Sequence, residues 1–151
     1  MSSQAIINKL NEALRHEWTG LAQYAQFSFV VSGLMREVYE DFFKDNSKEC
    51  FDHARKVGDK IVALGGTPAV DRNNVQQTKD LQEMLELSCQ FEKDAVKVYQ
   101  EALELAKGDY PLTIFLEDLL LEEQEGVEEI QKILGGECCT SASSCGTTQA
   151  G

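Results

Sequence analysis

Leu10-Asn11-Glu12-Ala13-Leu14-Arg15-His16-Glu17-Trp18-Thr19-Gly20-Leu21-Ala22-Gln23-Tyr24 repeats its apolar residues at alternating spacings of three and four, the period of one face of an α-helix. The face runs Leu10, Leu14, Glu17, Leu21, Tyr24, Ser28, Val31, so Glu17 stands where an apolar residue belongs. Further along the chain the same alternation gives Tyr39, Phe43, Asn46, Cys50, His53, Val57, Ile61, Leu64, then Leu81, Leu85, Ser88, Glu92, Ala95, Tyr99, Ala102, Ala106. A last face reads Leu116, Leu119, Glu123, Gly126 or Val127, Ile130, Ile133 or Leu134. Each seam is interrupted near its midpoint, by Glu17, the Cys50/His53 pair, Glu92 and Glu123.

Punctuation places four helices at about 4–32, 35–64, 79–107 and 112–134. They are separated by Ser32-Gly33, by Gly65 to Thr78, and by Gly108-Asp109-Tyr110-Pro111, with Gly135-Gly136 closing the last. The outer links are short enough to force antiparallel neighbours, and the middle one is long enough to run the length of a bundle. The predicted fold is all-α, an antiparallel four-helix bundle over 1–136 with a long crossover between helices 2 and 3. Residues 137–151 read as a flexible Cys/Ser/Thr/Gly tail.

Composition agrees with a single domain. The 151 residues suffice for one buried core, and only two prolines in a chain rich in Ala, Leu, Glu, Lys and Gln favour helix. A net charge of −12 makes cations the natural ligands and argues against nucleic acid or an anionic membrane surface. No apolar run reaches the roughly 18 residues of a membrane span, and Met1-Ser2-Ser3 leads into amphipathic helix without a signal-peptide pattern. A cytoplasmic protein is expected. Cysteines 50, 89, 138, 139 and 145 form no CxxC pair, and their odd number favours reduced thiols, with Cys89 a small buried filler.

Antiparallel packing would bring the four midpoints to one level. A carboxylate taken out of water unpaired costs several kcal/mol, so three in one interior layer would repel and protonate unless a cation compensates. Oxygen ligands with one imidazole suit iron or manganese better than copper or structural zinc, with iron favoured. For most of the 26 acidic residues the simpler reading, a solvated helix surface, holds.

From about residue 4 to 134 the chain resembles bacterioferritin and related ferritin-like di-iron proteins. Leu14 to Tyr24 resembles the family's first-helix motif, which implies Glu17 as a terminal iron ligand and Tyr24 as a catalytic residue beside the site. His53-Ala54 followed by Leu64-Gly65-Gly66-Thr67-Pro68 resembles the second helix and its exit, implying a ligand role for His53. Gln82 to Leu85 leading to Glu92 resembles the third helix, and Leu120 to Glu125 the fourth, implying Glu92 as the second terminal ligand and Glu123 as a bridging carboxylate. The short, long, short connections are the ferritin-like order.

The resemblance breaks at two places. The di-iron scheme expects Glu-x-x-His on helices 2 and 4, whereas this chain has Cys50-Phe51-Asp52-His53 and Glu123-Gln124-Glu125-Gly126. Cys50 is open to three readings: a thiolate ligand, a position whose bridging role passes to Glu49, or an apolar filler. At the second break, a shift of one residue gives Glu122 and Glu125 the same spacing. One or two irons per subunit are both compatible with this set. Phe51 replaces the family's haem-binding Met, so no haem is expected. Asp45 and Glu49 offer an iron-relay patch, although surface carboxylates four apart are common. The family's short fifth helix, which lines the fourfold contacts of 24-subunit cages, is replaced by the Cys-bearing tail. His16 points about 100° away from Glu17 round the helix, which favours a surface or interface role over ligation.

The implied function is iron binding with oxidation of Fe(II) by O2 or peroxide, a ferroxidase reaction serving iron storage or detoxification in a homo-oligomer. Two rivals stand beside it: a rubrerythrin-like peroxide reductase using the tail thiols, and a degenerate non-catalytic bundle acting as a sensor or interaction module.

Overall fold

The computed structural model describes residues 3–136 and 138. Four helices form: α1 Ser3–Val30, α2 Arg36–Ala63, α3 Leu81–Leu105 and α4 Tyr110–Leu134. No helix among the described residues is long and apolar enough to cross a membrane. The tail assigned to 137–151 lies outside the described residues apart from Cys138.

The helix ends follow from local chemistry. Asp80 precedes α3 and accepts from the Glu83 amide at 3.1 Å, one of the donors that a helix start leaves without an intrahelical partner. Asp109 does the same for α4 through the Leu112 amide at 3.1 Å. The predicted start at 112 is therefore two residues late: Pro111 belongs to the first turn, where its missing N–H costs nothing and its fixed φ suits the helix. Gly135 ends α4 at φ 77°, a left-handed conformation that side chains other than hydrogen rarely adopt.

α1 and α2 pack antiparallel, as do α3 and α4, and α1 also contacts α3. Residues 64–80 return along α1 and parallel to it. Asn11 donates to the Thr67 carbonyl and accepts from the Ala69 amide, Trp18 Nε1 donates to the Ala69 carbonyl, and Thr19 Oγ1 accepts from the Asn73 amide. Gln23 makes a reciprocal pair with the Gln76 backbone, at 2.9 and 2.6 Å. The crossover thus has its backbone groups satisfied by one face of α1, which explains why Thr19 and Gln23 are buried although they lie off the apolar seam.

Three apolar clusters form the core, and a polar layer separates the two largest. One gathers Leu10, Leu14, Val57, Ile61, Tyr99, Leu116 and their neighbours. The other gathers Tyr24, Phe27, Val31, Phe43, Cys50, Met84 and Leu85. Between them lie Glu17, His53, Glu92 and Glu123, all buried.

The expectation of reduced thiols needs correction at one pair. Cys89 and Cys138 form a disulfide with Cα atoms 6.1 Å apart, within the range such a bond requires. Cys89 is therefore a tether as well as a buried residue. The chain reverses at Gly135-Gly136 and brings Cys138 against α3, beside Val127 and Ile130. Among the described cysteines Cys50 is free.

The bond closes a sequence separation of 49 residues. Cross-linking restricts the unfolded chain, with a typical effect of about 2 to 4 kcal/mol. Reduction, or Cys138→Ser, is expected to lower the thermal midpoint by several degrees, and reductant is expected to leave the Cys138→Ser midpoint unmoved. Identical melting curves for oxidised and reduced protein would show that the tether contributes nothing.

Candidate metal centre

Each of the four helices supplies one member of the layer: Glu17 from α1, His53 from α2, Glu92 from α3 and Glu123 from α4. His53 is 2% exposed and its two ring nitrogens face different groups. Nδ1 lies 2.8 Å from Glu123 Oε1 and 3.5 Å from Glu17 Oε1. Nε2 lies 2.5 Å from Glu122 Oε2 and 3.8 Å from Glu49 Oε1. Two sets of ligand atoms therefore fall within 4.8 Å of one another, Glu17/His53/Glu123 inside and Glu49/His53/Glu122 towards solvent.

Two tyrosines complete the layer. Tyr99 donates to Glu17 Oε1 at 2.7 Å and Tyr24 donates to Glu92 Oε1 at 2.5 Å. Burial, with the charge of the neighbouring carboxylates, holds both phenols well above their usual range, so they act as donors. Burial raises Glu92 well above the ordinary carboxylate range, and its hydrogen bond to Glu123 adds to this. Burial and the nearby Glu17 likewise push Glu123 up to about 7. Burial alone would depress His53, but its hydrogen bonds to Glu123 and Glu17 outweigh it and push the imidazole up to about 12. No buried side-chain nitrogen or oxygen among the described residues lacks a partner.

The inner set fits a divalent cation. Ligands about 2.1 Å from a small ion sit about 3 Å apart at adjacent octahedral positions, close to the spacing already present. An ion would also replace protons that the buried carboxylates retain only because nothing else neutralises them. Glu92 enters neither set: its carboxyl is engaged by Tyr24 and Glu123. A Cβ at Gly126 would lie 3.3 Å from the Glu92 carboxyl, so the space left by the absent side chain is where that carboxyl sits.

Cys50 also enters neither set. Its thiol belongs to an apolar cluster and is raised well above its usual value, by burial first and then by the glutamates around it. A Cβ at Gly20 would come within 2.5 Å of its Sγ and 2.6 Å of the Phe91 ring, so Gly20 is what lets α1 approach these two side chains. His16 stacks on Phe91 with ring centroids 3.9 Å apart and donates from Nε2 to the Phe91 carbonyl, so it is more buried than a surface role implies. Phe51 is 42% exposed and packs near Trp18. Tyr99 is the contact that sequence reading did not single out, and Glu122 entered it only through the one-residue shift that pairs it with Glu125. A tyrosine on a buried seam needs a partner for its hydroxyl, and that requirement was the available signal for Tyr99.

The chain matches the Ferritin-like domain family over residues 7–137. It is similar to a ferritin-like, diiron-carboxylate protein of Bacillus anthracis, with 33% identity, coverage of 89% of this chain and 99% of that one, and a TM-score of 0.85. It is also similar to the dodecameric thioferritin of Bacteroides fragilis, a bacterioferritin-related protein, with 27% identity, coverage of 89% and 87%, and a TM-score of 0.82. A nutrient stress-induced DNA-binding protein of Nostoc is 31% identical over 77 residues, a match that spans 51% of this chain and 36% of that relative.

The proton inventory sets a pH dependence for the metal-free protein. Glu123 keeps its proton up to about pH 7 in the folded chain against an ordinary value of 4.5, and His53 keeps its own up to about 12 against 6.5. Both make the folded chain bind more protons than the unfolded one, so stability falls as pH rises through these windows. The thermal midpoint without metal is expected to decline from pH 5.5 to 9, and to decline less in the Glu92→Gln/Glu123→Gln variant. A level or rising midpoint in calorimetry would contradict the assignment.

Proposed function

Because the chain belongs to the Ferritin-like domain family, we propose that its polar layer takes up Fe(II) as substrate and that dioxygen or peroxide accepts the electron, in the service of iron storage or detoxification. The observation that carries this reading is the convergence of Glu17, His53 and Glu123 in a buried layer, with ligand atoms within 4.8 Å of one another. In this reading Glu17 Oε1, His53 Nδ1 and Glu123 Oε1 hold the ion. Tyr99 orients Glu17 through its hydrogen bond. Bound iron supplies one-electron chemistry, and the residues decide where protons go.

Tyr24 is the proposed donor of a further electron. Its hydroxyl already points at Glu92 Oε1, so the phenolic proton has an acceptor at hand once Glu92 has given up its own. Glu92 serves as a carboxylate held in reserve, close to Glu123 and available to a second ion. The apolar clusters above and below exclude water from the layer, which strengthens every charge interaction within it. A homo-oligomer belongs to the same proposal.

A second reading is supported by Cys50 and Gly126, which stand where the di-iron scheme has a glutamate and a histidine. It is a layer that binds a single ion and serves as a sensor. Replacing both residues, Cys50→Glu with Gly126→His, separates the two: a large gain in oxidation rate would mark the natural centre as deficient and favour the sensor.

Anaerobic Fe(II) titration is expected to saturate, and admission of air to oxidise the bound iron faster than the same iron in buffer. Glu17→Ala, His53→Ala and Glu123→Ala are each expected to lower affinity by at least tenfold. Binding should weaken as pH falls through about 7, because Glu123 must lose its proton to act as a ligand. Absence of saturable binding, or oxidation no faster than in buffer, would overturn the reading.

A further inference from the structure

His16 is the neighbour of Glu17 in sequence, yet its ring turns away from the layer and lines the groove between α1 and α3, beside the crossover. Phe91 covers one face of the ring, with centroids 3.9 Å apart, and the Phe91 carbonyl accepts a hydrogen bond from Nε2 at 3.0 Å. A carbonyl can only accept, so the proton of the neutral ring is on Nε2 and the lone pair is on Nδ1. Nδ1 has no hydrogen-bond partner among the described residues, and no buried side-chain nitrogen among them is unpartnered, so Nδ1 is open to the groove. A ring that donates from one nitrogen to a main-chain carbonyl and keeps the other free is the usual arrangement of a metal-ligating histidine.

Two cavities of about 270 and 280 Å³ lie along this groove, and His16, Asn73 and Asp94 line both. The place where the cavities adjoin is therefore bounded by one residue from α1, one from the crossover and one from α3. Asp94 lies one turn beyond Phe91, on the face of α3 that holds the ring. Its Oδ1 accepts from Gln90 at 2.8 Å, which leaves Oδ2 for another partner. The Asn73 amide donates to Thr19 Oγ1 at 2.9 Å, which ties the crossover to the turn of α1 that follows His16. The other charges along the groove are Lys97 and the pair Glu12 and Glu101, both held by Lys9 at 2.6 Å. Asp94 is thus the carboxylate left to meet a cation.

We propose that His16 Nδ1, the Asp94 carboxylate and the Asn73 carboxamide oxygen form a second site, separate from the buried layer, for a divalent transition-metal cation, with water completing its coordination. One imidazole nitrogen with oxygen donors suits zinc and its neighbours, and three protein ligands with one open position are a common zinc arrangement. Because the three residues come from α1, the crossover and α3, a bound ion clasps the crossover to the bundle.

Zn(II) alone tests the proposal, since it has no redox chemistry to confuse with that of the layer. Equilibrium dialysis with metal analysis reads affinity and stoichiometry, and anomalous diffraction at the zinc edge reads position. The diffraction is expected to place an ion on His16 Nδ1. Asp94→Ala, at an exposed position, is expected to weaken the binding of one zinc per chain at least tenfold, and Asn73→Ala at least threefold. Asp118→Ala, which removes the same charge from an exposed position of α4, controls for general attraction to an acidic protein and is expected to bind as the unmodified chain does. No anomalous density at His16 Nδ1, unchanged zinc binding by Asp94→Ala, or equal weakening by Asp118→Ala would overturn the site. None of these results bears on Fe(II) uptake by the layer, which the iron titration decides separately.

Discussion

The hydrogen bond between His53 Nδ1 and Glu123 Oε1, buried on both sides and 2.8 Å long, is the interaction on which the bundle turns. It joins α2 to α4, the first helical pair to the second, in the middle of the core. A buried carboxylate beside two others is tolerable only with a positive partner or a proton. Removing the imidazole would leave Glu17 and Glu123 without a positive partner, so that only bound protons could keep the two carboxyls together in the interior. The two apolar clusters offset the cost of this layer. Four helices of 25 to 28 residues are long enough to stack one cluster on each side of it.

Much of this was legible because buried charge is an exception that sequence displays. Glu17, His53, Glu92 and Glu123 interrupt apolar seams at matching heights, and a short, a long and a short connection suffice to bring them to one level. Glu122 was harder to read. It lies beside the seam, half exposed, and on a helix carrying Glu122, Glu123 and Glu125 only the direction of His53 Nε2 separates it from surface charge. The Cys89–Cys138 bond was illegible for a different reason: disulfide pairing depends on Cα separation, and nothing in the spacing of five cysteines shows that the turn at Gly135-Gly136 returns the chain to α3. The crossover's attachment to α1 through Asn11, Thr19 and Gln23 was likewise hidden, since polar residues off a seam read as solvent-facing until a partner covers them.

Gly20 and Gly126 show how small residues shape the layer from outside it. At Gly20 the absent side chain admits Cys50 Sγ and the Phe91 ring against α1, and Phe91 in turn lies edge-on to Tyr24 with centroids 5.8 Å apart. That packing fixes the ring whose hydroxyl holds Glu92. At Gly126 the absence leaves the Glu92 carboxyl beside α4, in reach of Glu123. Gly126 is also, with Cys50, one of the two positions where the chain departs from a symmetric pair of Glu-x-x-His motifs. Glu92 consequently stays outside the cluster of donor atoms that Glu17, His53 and Glu123 form.

One consequence is an unequal distribution of ligand types within the layer. Carboxylates alone can hold a hard cation, but an imidazole nitrogen adds affinity for iron and its neighbours that oxygen ligands do not supply. Only His53 contributes such a nitrogen to either ligand set. In the proposed reading an ion on that nitrogen would hold the one imidazole ligand, and a companion would depend on Glu92, Glu122 or Glu49, each of which is engaged elsewhere or open to water. Simultaneous tight occupancy would require the ring to lose both protons, a state that the surrounding negative charge opposes. The asymmetry therefore follows from counting lone pairs on one side chain, and it holds whatever the chemistry that the bound ion performs.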